Sequence, residues 1–126
     1  MKIYTQAEVD AVKPDKNGRR HFPDETQFEG KCSFGELCSF GELCTFGEMC
    51  NFGEECSFGE ECSFGEECSF GEGCSFGEWC SFGERCSFGE LCSFGLGNTF
   101  KSPIFEKDCV FSKAVKSLEE TKDVNK

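Results

Sequence analysis

Residues 32–95 read "CSFGELCSFGELCTFGEMCNFGEECSFGEECSFGEECSFGEGCSFGEWCSFGERCSFGELCSFG", one six-residue phrase written eleven times. Cys, Phe, Gly and Glu recur at fixed steps, while the last slot takes Leu, Met, Glu, Gly, Trp or Arg. A period of six fits neither an α-helix, at about 3.6 residues per turn, nor a coiled coil, at about 3.5. Within C-S-F a small apolar, a polar and a large apolar residue alternate, which suits a short strand with Cys and Phe on one face. Gly follows at once, where the chain is expected to turn a corner with positive φ. Glu and the variable residue then belong on the outside of that corner. So short a strand cannot bury its face alone, and successive rungs are expected to stack into a solenoid.

Indexing on Phe extends the array in both directions. Fourteen phenylalanines from Phe22 to Phe100 keep a strict six-residue register, and after a one-residue slip near Pro103 come Phe105 and Phe111, again six apart. Every Cys lies two residues before a Phe. "HFPDETQFEGK" and "NTFKSPIFEKDCVF" are therefore degenerate repeats, and the repeat domain is expected over residues 20–111. Residues 1–19 read as a helical cap: in "TQAEVDAV" Thr5 and Glu8 have capping-box spacing, Val9 and Val12 share a face, and Pro14 ends the helix. Residues 112–126 read as a second helical cap and tail, with Ala114, Val115 and Leu118 at helical spacing. Such caps would cover the open strand edges of terminal coils. A homodimer through an end cap is the alternative role.

Read from Phe, F-G-E-x-C-S resembles the hexapeptide-repeat motif of left-handed parallel β-helices, where an aliphatic residue precedes Gly, Asp or Glu and a small residue lies four places on. That resemblance implies three hexads per triangular coil and about five coils. Counted in threes from Cys32 the variable slot reads Leu-Leu-Met, Glu-Glu-Glu, Gly-Trp-Arg, so like residues fall on one coil. Phe at every inward position departs from that family, which uses Leu, Ile or Val. C-S-F also resembles the strands of pentapeptide-repeat proteins, four-sided right-handed helices, some of which imitate DNA. The fold expected is an all-β solenoid, three-sided, with the four-sided form left open. Over nearly its whole length the chain also resembles C-x-F-G-x-x repeat proteins of bacteriophages and prophages. That implies a mobile-element protein of a bacterial host, and no reaction.

Charge is concentrated in the array. Residues 32–97 hold thirteen glutamates (Glu36, Glu42, Glu48, Glu54, Glu55, Glu60, Glu61, Glu66, Glu67, Glu72, Glu78, Glu84 and Glu90) against Arg85 alone, a net of −12. The flanks, with eleven acids and twelve bases, are near neutral. Such a field repels nucleic acid and membrane surfaces and attracts basic proteins. Stacking like charges one rung apart, ~4.8 Å, costs on the order of 1 kcal/mol per neighbour even in water. A turn that needed only polarity could use Asn, Ser or Lys without that cost. One Glu per corner of a three-sided coil places one negative charge per about 1.6 Å of axis, and double-stranded DNA carries one per about 1.7 Å. The function expected is an acidic, phage-type DNA mimic that inhibits a host nucleic-acid-binding protein of the CRISPR-effector, restriction-enzyme or topoisomerase class. The thirteen glutamates are its binding ladder and the outward Trp79 a further contact. The alternative is a structural or self-associating scaffold whose glutamates serve solubility.

The twelve cysteines read as reduced, buried small hydrophobes lining the strands. Their even spacing lacks the C-x-x-C pairing of a zinc site, and the N-terminus lacks the apolar stretch of an export signal, so a disulfide scaffold is not expected. No metal or cofactor is expected. The single His, His21, lies outside the invariant array, and no base stands beside a nucleophile, so no enzyme is expected. No apolar run reaches the length of a membrane span. The location expected is the cytoplasm of a bacterial host. Arg85 lies eighteen residues after Glu67, so a three-sided coil would stack them as an ion pair worth under about 1 kcal/mol.

Overall fold

A computed structural model describes residues 3–106, 109–111, 116–117 and 122–123. Each hexad contributes one short strand, and strands of every third hexad pair in parallel and in register. Ser69 and Phe70 lie between Asn51 and Phe52 on one side and Ser87 and Phe88 on the other. Partners eighteen residues apart make the coil three-sided. Three parallel sheets, one of seven strands and two of six, run along a solenoid of about five turns.

The phenyl rings explain why a three-sided coil takes Phe at every inward position. Around one coil the rings meet edge to face: Phe58 and Phe64 at 5.1 Å and 81°, Phe64 and Phe70 at 5.1 Å and 85°. Between coils they stack: Phe46 on Phe64 and Phe64 on Phe82, each at 4.8 Å and 2°. Both arrangements suit the ring quadrupole. The stacking distance also equals the spacing of hydrogen-bonded strands, about 4.7–4.9 Å. Backbone ladder and ring column therefore share one period. All fifteen phenylalanines from Phe22 to Phe105 are buried, with the cysteines beside them.

The corner is built differently from the expectation. The Gly after Phe does not carry the positive φ; the variable residue does, at 62° in Leu37, 58° in Met49, 63° in Trp79 and 61° in Arg85. Within the array the positive-φ glycines are Gly73 and Gly97, which themselves occupy that slot. Left-handed backbone costs a non-glycine residue about 1–2 kcal/mol. In return the slot N–H donates to the Glu carbonyl of the next coil, Leu37 to Glu54 at 2.9 Å and Glu61 to Glu78 at 2.8 Å. The slot is thus free in chemistry but not in shape. No Val, Ile or Thr occupies it, because β-branching makes this conformation a steric outlier.

The fixed Gly answers to packing instead. A Cβ on Gly65 would stand 2.7 Å from the Glu48 nitrogen and 2.8 Å from the Gly47 carbonyl carbon, and one on Gly77 would stand 2.8 Å from that of Gly59. Successive coils touch backbone to backbone there. Gly35 follows the first strand of its sheet, with no coil beneath it, and a Cβ there meets nothing within 4 Å.

The N-terminal residues close the first coil. Strand β1 (Ile3–Tyr4) pairs with Gln27–Phe28 and starts the seven-stranded sheet. Helix α1 (Gln6–Ala11) begins at the Thr5–Glu8 capping box and inserts Val9 into the core. It ends at Ala11, ahead of Pro14, with Val12 already extended. The Gln6 amide acts as a fragment of strand: its Oε1 accepts from the Ser33 N–H at 2.6 Å and its Nε2 donates to the Ser33 carbonyl at 2.9 Å. Two of the three open sheet edges at this end thereby find partners within the chain.

The C-terminal helix expected from residues 112 onward is not what the described residues form. Lys116–Ser117 and Lys122–Asp123 are strands, pairing with Thr99–Phe100 and Ile104–Phe105. The unpaired edge of the preceding coil is satisfied by extended chain, which outweighs local helical spacing. The remainder of that expected helix lies outside the described residues. The one-residue slip falls where anticipated: Ser87 pairs with Ile104, seventeen positions on, and Pro103 takes the place of a Cys.

Candidate functional site

The solenoid brings the thirteen glutamates into three columns at its corners. Glu36, Glu54, Glu72 and Glu90 follow one sheet; Glu42, Glu60 and Glu78 follow another; Glu48, Glu66 and Glu84 follow the third. All are exposed except Glu78, which is half-buried next to Trp79. With rings stacking at 4.8 Å from coil to coil, each such rise carries three carboxylates. Glu55, Glu61 and Glu67 fall on the same coil, so the stretch from Glu54 to Glu67 carries two carboxylates at each corner. Arg85 sits over this girdle: its Nε lies 3.2 Å from Glu67, its NH1 3.4 Å from Glu84 and its NH2 3.9 Å from Glu66. The ion pair expected from the eighteen-residue period is present. Trp79 both packs and protrudes. It is 52% exposed, yet its six-membered ring fills the space that a Cβ on Gly97 would need.

Inside, the cysteines form three further columns. Each thiol is buried, and from Cys56 onward it donates to the glycine carbonyl one coil back: Cys56 to Gly35, Cys62 to Gly41, Cys68 to Gly47, each at 3.4 Å. The column through Cys44, Cys62 and Cys80 has polar residues in the Cys position at both ends. The Thr26 hydroxyl donates to the Pro23 carbonyl at 2.7 Å, and the Asn98 Oδ1 accepts from the Cys80 N–H at 2.8 Å. Burial, then the neighbouring Cys50 and Glu29, pushes the Cys32 thiol up to about 11. Cys44 and Cys50 are raised by their hydrogen-bonding neighbours Cys62 and Cys68, then by burial. His21 lies apart on the surface, 2.9 Å from Asp15, which also accepts from the N–H groups of Asn17 and Arg19. The Asp15 carboxyl is held below the usual range by His21 and then by those backbone bonds.

A three-sided parallel solenoid with a phenylalanine–cysteine interior and glutamate corners defines the class: an acidic repeat solenoid. Its repeats match the RNA-binding, Nab2-type zinc-finger family over residues 26–41, 43–65, 61–83 and 79–95. Together these matches span more than half of the chain, and by sequence the chain belongs to that family. They point neither to a hexapeptide-repeat family nor to a phage family. Neither the curated proteins nor the solved structures contain a match.

The donor set does not fit the zinc of such fingers. Zinc takes Cys and His ligands converging tetrahedrally at about 2.0–2.3 Å. The matched residues contain no His, since His21 lies before them. Consecutive cysteines lie in different columns, the thiols donate to carbonyls, and no group of three or more ligands converges among the described residues. In this chain the recurring cysteines serve packing.

Purified protein should therefore melt at the same temperature with and without a chelator, and carry no stoichiometric zinc by elemental analysis. A thiol reagent should label few of the twelve cysteines in the native protein and all of them in denaturant, because every one of them is buried in the fold. The raised Cys32 thiol also sets a pH dependence. Its neutral form is favoured by folding, so that its contribution to stability is complete below the unfolded value of 9.0. It falls as pH rises through the folded value of about 11 for Cys32.

Proposed function

We propose that this protein is an acidic, non-enzymatic, phage-type DNA mimic that occupies the basic nucleic-acid channel of a host protein in the bacterial cytoplasm. A CRISPR effector, a restriction enzyme or a topoisomerase offers such a channel. The observation that carries the reading is the exposed glutamate lattice, three carboxylates per 4.8 Å of rise on a rod braced by stacked rings. Its linear density of about one charge per 1.6 Å is close to the ~1.7 Å of double-stranded DNA. The matched family is described as RNA-binding. In this chain a net of −12 over the array repels a polyanion, so nucleic acid enters as what is imitated rather than what is bound. About five coils at ~4.8 Å span roughly 25 Å, or about seven base pairs, which suits one channel or one lobe of an enzyme.

A second reading, a self-associating scaffold, draws on Leu43, Met49 and Leu91, which are exposed at the corners. Sedimentation combined with capture from bacterial lysate separates the two. A partner that is retained at low salt and displaced by added double-stranded DNA supports mimicry. Self-association without any DNA-displaceable partner supports the scaffold.

A further inference from the structure

In an array of near-identical hexads, two departures from the phrase, Leu96 and Asn98, meet two residues of the variable slot at one corner. Trp79 fills the variable slot, Leu96 replaces the fixed Glu one coil on, Gly97 follows it, and Asn98 replaces Cys. They are in direct contact: the Trp79 N–H donates to the Leu96 carbonyl at 2.8 Å, and the indole rests where a Gly97 Cβ would be. Asn98 is fully buried beneath them, holding the Cys80 N–H with its Oδ1 while its Nδ2 has no partner among the described residues. Gly97 thus lets the indole lie against the next coil, which fixes the ring and still leaves it 52% exposed. Leu96, 37% exposed, removes the one carboxylate that would otherwise sit over it. The same corner, toward the N-terminus, presents Glu60, Glu61 and Glu78.

A fixed, half-exposed indole flanked by carboxylates on one side and an apolar residue on the other is a receptor for a planar cation. We propose that this corner is where the rod reads an arginine of its basic partner, the guanidinium stacking on Trp79 while Glu60, Glu61 or Glu78 takes its N–H groups. The proposal rests on the mimicry reading for the existence of a basic partner, and adds which residue of that partner is recognised. Lysine satisfies the carboxylates but stacks less well on an indole. A ring already immobilised loses little freedom on binding.

Trp79 is the only tryptophan, so its fluorescence reports on this corner alone. Deca-arginine and deca-lysine, equal in charge, are titrated against the full chain and against Trp79→Leu, a residue the slot already holds at Leu37, Leu43 and Leu91. Fluorescence follows the indole, and anisotropy of labelled peptide gives affinity for both proteins. Deca-arginine should perturb Trp79 and bind tighter on the order of 5-fold, and Trp79→Leu should lower that preference while charge-driven binding of both peptides persists. Equal binding of the two peptides with unperturbed fluorescence overturns the arginine site and leaves the acidic ladder standing. An arginine preference unchanged in Trp79→Leu overturns it as well. Failure of both peptides to bind at low salt removes both the site and the ladder.

Discussion

Gly65→Ala should destabilise the rod by about 1–3 kcal/mol or more, the range of overpacking in a close-packed interior, and lower its melting temperature by several degrees at least. Gly35→Ala, the same substitution at the same place in the repeat, should stay within about 0.5 kcal/mol of the parent. Neither glycine has positive φ, so backbone conformation accepts alanine at both. They differ only in what lies beneath. At Gly65 the new methyl meets the backbone of Gly47 and Glu48 at 2.7–2.8 Å; at Gly35 it meets open space. The obstruction is main chain in a hydrogen-bonded ladder, with the Gly65 N–H bonded to the Phe46 carbonyl at 3.0 Å, and no side chain can swing aside. A solenoid is held by nearest-neighbour contacts, so separating two coils at mid-rod also parts the Phe46–Phe64 stack. Thermal unfolding of the two variants side by side is the measurement. Equal melting temperatures would mean that the coils do not touch at the corner.

The period and the inward face were legible from the hexad because alternation in C-S-F has one reading for so short a strand. Three sides were expected from the hexapeptide resemblance, with four left open because Phe suits no aliphatic precedent; strand partners eighteen residues apart settle it. The role of the fixed Gly was misplaced for a physical reason. An invariant glycine signals either a positive φ or a close approach, and the letters alone do not separate them. The separating signal was in the neighbouring slot, which accepts Trp, Arg and Leu yet never a β-branched residue. Gln6 carried no sequence signal for its part, because an amide standing in for a strand depends on where helix α1 meets Ser33. At the other end, helical spacing in residues 113–120 competed with an open sheet edge, and at Lys116–Ser117 the edge prevailed. Of the candidate site, the glutamate columns and the Arg85–Glu67 pair were readable once eighteen residues made a coil. The Trp79 corner was not, because its members come from two coils and meet only through the turn at Gly97.

Reversing Glu54, Glu60 and Glu66 to Lys together should abolish binding of the captured partner while the fold survives. These three residues occupy the fixed slot on one coil, one at each corner, and each is exposed. Their backbone carbonyls, which accept from the N–H groups of Leu37, Leu43 and Met49, are untouched by the change. The variant should keep the parent's circular dichroism, and relief of like-charge repulsion along the columns should partly offset the loss of the 3.9 Å Glu66–Arg85 contact. For the partner the change is steep. Each reversal removes an attraction of about 1 kcal/mol and substitutes a repulsion of similar size. Even after screening at physiological salt, three reversals should weaken the complex on the order of 100-fold or more. A charge-neutral triple, Glu to Gln at the same positions, should fall between the two and show a shallower dependence of affinity on salt than the parent. If the lysine triple folds normally and holds its partner as tightly as the parent does, the glutamate columns serve solubility and the rod does not stand in for DNA.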